Sequence, residues 1–430
     1  MSEQPRSVLW LRRDLRLQDH PALVAAADAA PEVVALHVLD PAELASYGAN
    51  RRAYLAASLR ALDEQLGGRL VVRSGPPEEV VPAVVREAGA GSVHVSADTT
   101  PAGRARDERV AAALPVPLVP TGSPYAVGPG RVLTGQGTPY QVFTPFLRAW
   151  AAHGWAPPAP SVEPRWAQLP GEGLPEAAAT IELPEAGEQA ALARWEEFRE
   201  GALADYPVDR DRPDRAGTSY LSIALACGEI HPRTLLAGLA DADVPDEAAA
   251  RFRAELAWRE FHADVLWHRP EALTEPLREE YARMEHDEPG AAFDAWCAGR
   301  TGFPLVDAGM RQLVATGWMH NRVRMVTASF LVKDLHVHWS HGARFFLEHL
   351  LDADVAQNQL NWQWVAGCGA DAAPWFRIFN PTAQQRRFDP DDRYVRRWIP
   401  ELGTADYPEP VVDHAEARRE ALARRERMTP

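Results

Sequence analysis

In the segment RFRAELAWREFHADVLWH, whose pattern predicts a helix, Glu255, Trp258, Arg259 and His262 fall at i, i+3, i+4 and i+7. One helical face therefore carries a carboxylate, an indole, a guanidinium and an imidazole, while Phe252 and Leu256 point elsewhere. An aromatic beside a carboxylate suits a planar, hydrogen-bonding ligand; a surface helix with i, i+4 charge pairs presents the same residue types. In GWMHNRVRMVTASFLVKD, the residues Trp318, Asn321, Arg324 and Met325 share a helical face. The Asn amide can donate and accept at the edge of a base and the Met thioether adapts to flat rings, although each is equally at home in a core. In LLDADVAQNQLNWQWVAGCGADAAPWFRIFNP, the side chains Asp352, Asp354 and Asn358 lie close together, with Trp362 and Trp364 after them. Those carboxylates suit the imide or ribityl hydrogens of a polar heterocycle; a Mg2+ or Ca2+ site is the other reading, but no EF-hand glycine accompanies them. His336, His338 and His341 in HVHWSH lack HExxH spacing and a carboxylate partner, so helix surface or core packing is expected and no metal. Fourteen tryptophans, most in the C-terminal half, are either core or closely spaced stations for electron hopping.

Such residues need elements to hold them. Five β-rich runs, SVLWL, VVALHVLD, LVVRSG, SVHVSAD and VPLVP, alternate with helical patterns, which predicts right-handed crossovers and a parallel sheet. Residues 1–125 are thus expected to form a Rossmann-like α/β domain, 126–189 a Pro-, Gly- and Ala-rich linker, and 190–430 an all-α domain with turns at CGEIHP and GRTGFP. Where a dinucleotide fingerprint would follow the first strand, LRRDLRLQDHP stands instead, which disfavours a nicotinamide dehydrogenase.

At 430 residues and 46% apolar content the chain can bury two or three cores. Cys227, Cys297 and Cys368 form no CxxC pair, so neither a disulfide framework nor a zinc ribbon is expected. No secretory leader pattern and no run of eighteen apolar residues is found, so a cytoplasmic protein is expected. A net charge of −15 argues against indiscriminate coating of DNA. Residues 296–400 nevertheless hold 12 Lys/Arg against 9 Asp/Glu, making the C-terminal third the better phosphate-facing candidate; ordinary fluctuation gives a contrast of the same size. Lys333 is the only lysine.

The motifs VLWLRRDLRLQDHPAL, RAGTSYLSIALACGEIHPR, ELAWREFH, TGFPLVDAGMRQLVATGWMHNRVRM and the WQW-to-RIFNP stretch span nearly the whole chain, and together they resemble the photolyases and cryptochromes, most specifically toward the C-terminus. Within that family the chain is similar to bacterial class I enzymes that repair cyclobutane pyrimidine dimers. The resemblance implies FAD held bent in the helical domain, at the base of a DNA-facing cavity. Tyr206, Thr218, Ser219, Tyr220, Leu221 and Ser222 match phosphate and ribityl contacts, hydroxyls and amides at a helix start being apt for a pyrophosphate. Phe252 is carried over as a further cofactor contact. Asp352, Ala353 and Asp354 match flavin-ring contacts, Arg324 is placed to pair with Asp352, and Asn358 falls beside the reactive ring nitrogen, where Asn favours repair over plant-type signalling. Glu255, Trp258, Asn321, Met325 and Trp364 match the dimer pocket, and Arg210, Arg259, His262 and Arg322 match DNA contacts. The implied activity is that of a carbon–carbon lyase: light-driven electron transfer from reduced FAD to a dimer extruded from ultraviolet-damaged DNA, as photolyases do, with the electron returned afterwards. A monomer with no membrane partner is expected.

Two departures from the family pattern stand out. Photoreduction in many relatives runs through a tryptophan chain that here would be Trp362, then Trp339, then a position ten residues before Trp296; that position is His286, so the route is expected to slow or to pass through another aromatic such as Tyr281. Folate-binding relatives carry Asn-Glu where Ala102 and Gly103 stand, so the antenna expected is a deazaflavin, contacted by Asp98 and Arg51, or none. MHNRVRM lacks the histidines typical of six-four photolyases, and only about 30 residues follow Trp398, whereas signalling cryptochromes usually add a long tail. Those two readings and an FAD oxidoreductase remain the alternatives.

Overall fold

The structure is a computed structural model that describes residues 5–371 and 376–428; residues 372–375 of the WQW-to-RIFNP stretch lie outside it. Compactness divides the chain into one unit of residues 1–140, 144–201 and 219–268 and another of residues 141–143, 202–218 and 269–430. The boundaries expected at 125 and 189 are thus not the edges of the compact units.

All five β-rich runs of the first unit are strands: β1 (Arg6–Leu11), β2 (Glu32–Leu39), β3 (Val71–Ser74), β4 (Ala90–Val95) and β5 (Leu118–Pro120), parallel and ordered β3-β2-β1-β4-β5. A two-residue strand, β6 (Arg165–Trp166), pairs with the start of β2, at Glu32 and Val33, whereas β3 pairs with residues 36–39 of the same strand. The crossover helices are α1 (Pro21–Ala29), α2 (Ala49–Gln65), α3 (Pro77–Ala88) and α4 (Pro101–Ala113). Proline at the first turn and a side-chain cap start two of them, His20 accepting from the Leu23 amide and Thr100 from the Gly103 amide. Apolar side chains on the two faces of the sheet fill separate cores, Val8, Trp10, Val34 and Leu36 on one and Leu9, Leu11, Val33 and Ala35 on the other, the two-sided burial that a parallel sheet requires.

LRRDLRLQDHP packs against the CGEIHP turn. Leu15 N–H donates to the Cys227 carbonyl (3.4 Å) and Arg16 to that of Gly228 (3.0 Å). Gly228 has φ 72°, and a Cβ there would lie 1.9 Å from the Arg13 carbonyl oxygen, so only glycine fits. Glu229 then accepts from Tyr54 (2.8 Å), Ser58 (2.6 Å) and the Gly187 amide (2.7 Å), tying the turn to α2. The unit also contains α5 (Asp246–His268), a helix of 23 residues.

Helices build the second unit: α6 (Pro304–Thr316), α7 (Asn321–Ser329), α8 (Trp339–His349), α9 (Val355–Ala366) and α10 (Pro381–Phe388). A π-helical turn, Phe330–Asp334, extends α7. His338 caps α8 by accepting from the Ser340 amide, which accounts for part of the HVHWSH run; no cluster of metal-ligating side chains occurs among the described residues. Nor is any described helix long and apolar enough to cross a membrane.

Candidate functional site

In the second unit α7, α8 and α9 bring the expected flavin contacts together. Arg324 donates both terminal nitrogens to Asp352 (3.2 and 2.8 Å) and its Nε to the Met319 carbonyl (2.7 Å), so the planar guanidinium is fixed at every edge. Asp354 caps α9, accepting from the Ala356 (3.0 Å) and Gln357 (3.1 Å) amides. One turn on, Asn358 Nδ2 donates to the Ala343 carbonyl (3.0 Å) and to Gln359 (2.9 Å), which commits both amide hydrogens and leaves the amide oxygen to accept from a ligand. Ala353, between the two aspartates, is buried.

Gln363, fully buried on α9, was missed by sequence reasoning. It donates to the Ala272 (2.9 Å) and Glu275 (2.7 Å) carbonyls and accepts from the Leu277 amide (2.9 Å), clamping the helix to the preceding loop. Its only sequence signal was an amide between two tryptophans.

Trp362 is buried edge-to-face against Phe346 (5.0 Å) and Trp296 (6.2 Å). Gly342 makes that possible: a Cβ there would lie 2.2 Å from the Trp362 ring. Trp364 is half-buried and donates to the Asp371 carbonyl (3.2 Å). Asn321 is the exposed first residue of α7, and Met325, four residues on, is half-buried. The cap of that helix is His320, whose imidazole accepts from the Arg322 amide (3.2 Å); burial pushes its pKa down to about 4, so it stays neutral and able to accept.

Tyr206, buried, opens a helix of four residues, with the Arg210 guanidinium 5.7 Å from its ring centroid. Arg322 pairs with Asp211 (2.8 Å) and covers the ring of Phe388 at 4.5 Å. Arg387, on α10, covers the same ring at 5.0 Å, so α10 brings Arg386 and Arg387, both exposed, to the side of Arg322. Neither was singled out from the sequence, although QQRRF, two residues after FNP, is a local basic signal. Thr218 Oγ1 is buried with no hydrogen-bond partner among the described residues, an arrangement that a polar ligand atom would satisfy.

The other expected residues lie in the first unit, chiefly on α5. Glu255, Trp258 and Arg259 are half-buried there while most of their neighbours are buried, so the surface-helix reading fails, although Arg251 does sit 3.7 Å from Glu255 at i, i+4. The indole of Trp258 packs on Phe261 (5.7 Å) and on the buried His262 (5.4 Å). Arg259 donates to the carbonyls of Pro124 (2.7 Å) and Leu225 (3.2 Å) and covers Tyr125 at 4.4 Å, which makes it a brace within the unit. Phe252 stacks on Trp195 (5.5 Å) and packs tilted against Phe198 (5.1 Å) in an aromatic core. Leu221 is buried and Ser222 begins a helix of six residues; Ser219 Oγ accepts from the Leu221 amide (3.4 Å), and Tyr220 is exposed at φ 53°.

A pocket with about 410 Å3 of empty space opens at the ends of β1 and β2, lined among others by Trp10, Arg12, His37, Glu43, Tyr47 and Arg106. The two expected antenna residues stand one layer behind this lining. Asp98 pairs with Arg106 (3.0 Å), and Arg51 covers the Tyr47 ring at 3.7 Å. At Gly103 a Cβ would come within 2.0–2.4 Å of the Asp98 carboxyl group, so a side chain fits there only if Asp98 moves.

Known proteins resemble this chain in sequence and fold. Residues 7–164 match the family model described as DNA photolyase, and residues 252–406 match that of the FAD binding domain of DNA photolyase. A deoxyribodipyrimidine photo-lyase of Thermus thermophilus is 43% identical over 425 residues, covering 96% of this chain and 97% of that protein. A bacterial class III photolyase from Agrobacterium tumefaciens has a TM-score of 0.91 at 35% identity, covering 100% of this chain and 98% of its own. An archaeal photolyase from Sulfolobus tokodaii, solved with two FAD molecules, has a TM-score of 0.86 at 27% identity, covering 98% of this chain and 100% of its own. With the parallel sheet, the Arg324–Asp352 fork and the capped α9 all lying within these matches, the chain belongs to the DNA photolyase family.

Proposed function

We propose that this protein uses blue light to split cyclobutane pyrimidine dimers in DNA, with FAD as its cofactor. The observation that carries the reading is the α7–α9 cluster: a guanidinium, two carboxylates and an amide, each oriented by a second bond, suit the donors and acceptors of a flavin ring. Thr218, with its buried unpartnered hydroxyl, fits the phosphate or ribityl side of the same cofactor. When bound and reduced, FAD supplies the electron on absorbing light and recovers it after the dimer has opened.

This chain's residues do the rest. Arg324 and Asp352 hold the ring's polar edge, and Asn358 accepts at its centre. Trp258 and Trp364 offer flat faces to a poorly stacked dimer, and Met325 fills gaps against it. Glu255 and Asn321 hydrogen-bond the pyrimidine carbonyls that gain charge on reduction, provided Glu255 is protonated when it donates. Arg322, with Arg386 and Arg387, meets the phosphates; Arg210 orders the Tyr206 segment, His262 holds Trp258 in place, and Arg259 braces the same helix against Pro124 and Leu225. A deazaflavin or a related flavin is the antenna proposed for the pocket of Arg12, Tyr47 and Arg106. Its support is that Gly103 and Asp98 exclude the side chains that folate-binding relatives use. The substrate places the enzyme in the compartment that holds the DNA, and the reading needs no second copy of the chain.

Loss of thymine dimers from an irradiated oligonucleotide, with pre-reduced enzyme under blue light against a dark control, tests the proposal. Dimers that persist in the light while reduced FAD is bound would sink it in favour of light sensing without repair.

A further inference from the structure

Asp371 stands where the chain turns back after α9. Gly367 and Gly369 each donate their amide to the Gln363 carbonyl (2.9 and 3.0 Å), which folds residues 367–371 against the last turn of that helix. The approach is close: a Cβ at Gly369 would lie 2.7 Å from the Trp364 backbone nitrogen. At the end of this turn Asp371 has φ 53°, a left-handed conformation that aspartate, asparagine and glycine tolerate better than other residues.

The carbonyl, amide and side chain of Asp371 are all engaged. Its carbonyl accepts from Trp364 Nε1–H (3.2 Å), its amide donates to the Gln141 carbonyl (3.0 Å), and its carboxylate accepts from the Phe143 amide (3.1 Å). Residues 141–143 come from the stretch expected to be a linker, yet they belong to the second compact unit together with Asp371 and α9.

We propose that Asp371 is a positioning residue for dimer recognition: anchored on residues 141–143, it fixes the plane of the Trp364 indole on which the dimer packs. The inference deepens the proposed repair of dimers and rests on it. With amide and carboxylate both held, the Cα of Asp371 cannot swing, and its left-handed φ directs the carbonyl to the indole. A bond at Nε1 then stops the ring from turning about its side-chain torsions while leaving its flat face to a ligand. The tilt matters because a gap of about 0.5–1 Å forfeits about a quarter to a half of the dispersion attraction between packed atoms. Phosphate contacts carry no information about the base, so the effect falls on the dimer and spares undamaged DNA.

The test uses the full-length, FAD-bound protein and two readouts. In 15N–1H correlation spectra the Trp364 indole peak, identified as the one absent from Trp364→Phe, should move in Asp371→Ala and keep its place in Asp371→Asn, since Asn still accepts from the Phe143 amide and tolerates the left-handed φ. In titrations with an oligonucleotide carrying one thymine dimer, Asp371→Ala should lower affinity by about threefold to tenfold, as loss of one hydrogen bond does, with affinity for undamaged DNA and FAD retention unchanged and with Asp371→Asn equal to the parent. Adding Asp371→Ala to Trp364→Phe should cost no further affinity. An unmoved indole peak, or the same loss in the Trp364→Phe background, overturns the proposal. Should Asp371→Ala fail to fold, Asp371→Gly, which is unstrained at this φ but lacks the carboxylate, decides it in the same assays. A parent that does not prefer the dimer to undamaged DNA overturns the repair reading and this inference with it, whereas a parent that prefers the dimer and an Asp371→Ala variant that keeps that preference in full overturn only the role of Asp371.

Discussion

Two side chains bear most directly on the cofactor and the substrate. Arg324 orients Asp352 through a planar fork, which a lysine cannot reproduce. Arg324→Lys should therefore weaken FAD retention by roughly tenfold to a hundredfold, the equivalent of about 1.5–3 kcal/mol for charge-assisted bonds. Equilibrium dialysis, or recovery of flavin fluorescence on release, measures it; retention equal to the parent's would remove the fork from the cofactor site. Glu255 is assigned to the reduced dimer, so Glu255→Ala should lower the repair quantum yield by about tenfold or more while binding of the dimer in the dark changes little. A mutant that loses dark binding and keeps its quantum yield would place Glu255 in ground-state recognition instead.

At the scale of elements, the site depends on how closely α8 meets α9. Gly342 allows the Trp362 ring to rest on the α8 backbone, with a Cβ position 2.2 Å from the ring and 2.5 Å from Leu331. Gly342→Ala should cost about 1–3 kcal/mol through overpacking, seen as a lower melting temperature, and photoreduction should slow as Trp362 is displaced. A mutant with unchanged stability and unchanged photoreduction would show that the two helices can part without consequence. Asp354 matters for the same reason, since it sets where α9 begins and hence which residue stands at Asn358.

For the whole molecule, charge and protonation are the relevant quantities. The chain carries −15 overall, so its affinity for DNA must come from local arginines rather than from a general field. Replacing Arg387 by Ala should reduce the slope of log K against log salt by about 0.9 for duplex DNA, as expected when one phosphate contact is lost. Titrations of an irradiated duplex across salt concentrations decide it, an unchanged slope removing α10 from the interface. Stability should also depend on pH. His320 titrates near 4 in the folded chain and near 6.5 when exposed, so the unfolded state binds more protons between those values. Stability is then fully present above about pH 6.5 and falls by on the order of 3 kcal/mol as pH drops to about 4; His286 acts in the same direction. Denaturant midpoints at a series of pH values measure this, and a flat profile would mean that the imidazoles are already solvated.

Much of this was present in residue order because it depends on short spacings. Strand alternation announced all five β-rich runs, and capping residues such as Thr100 and Asp354 mark helix starts through bonds that reach only two or three residues. The i, i+4 step likewise put Glu255 and Arg259 on one face, since helical periodicity is local. Tertiary packing decided what spacing cannot encode. Arg259 turned out to brace Pro124 and Leu225, more than a hundred and more than thirty residues before it in the chain. Phe252 went into an aromatic core with Trp195, and Arg387 reached Arg322 through the shared ring of Phe388. Likewise Asp98 was taken up by Arg106 of the pocket lining, because a glycine at 103 left room for its carboxyl group. Whether a polar group is used by its own chain or presented to a ligand depends on which distant carbonyls and rings arrive beside it, and only the folded structure brings those together.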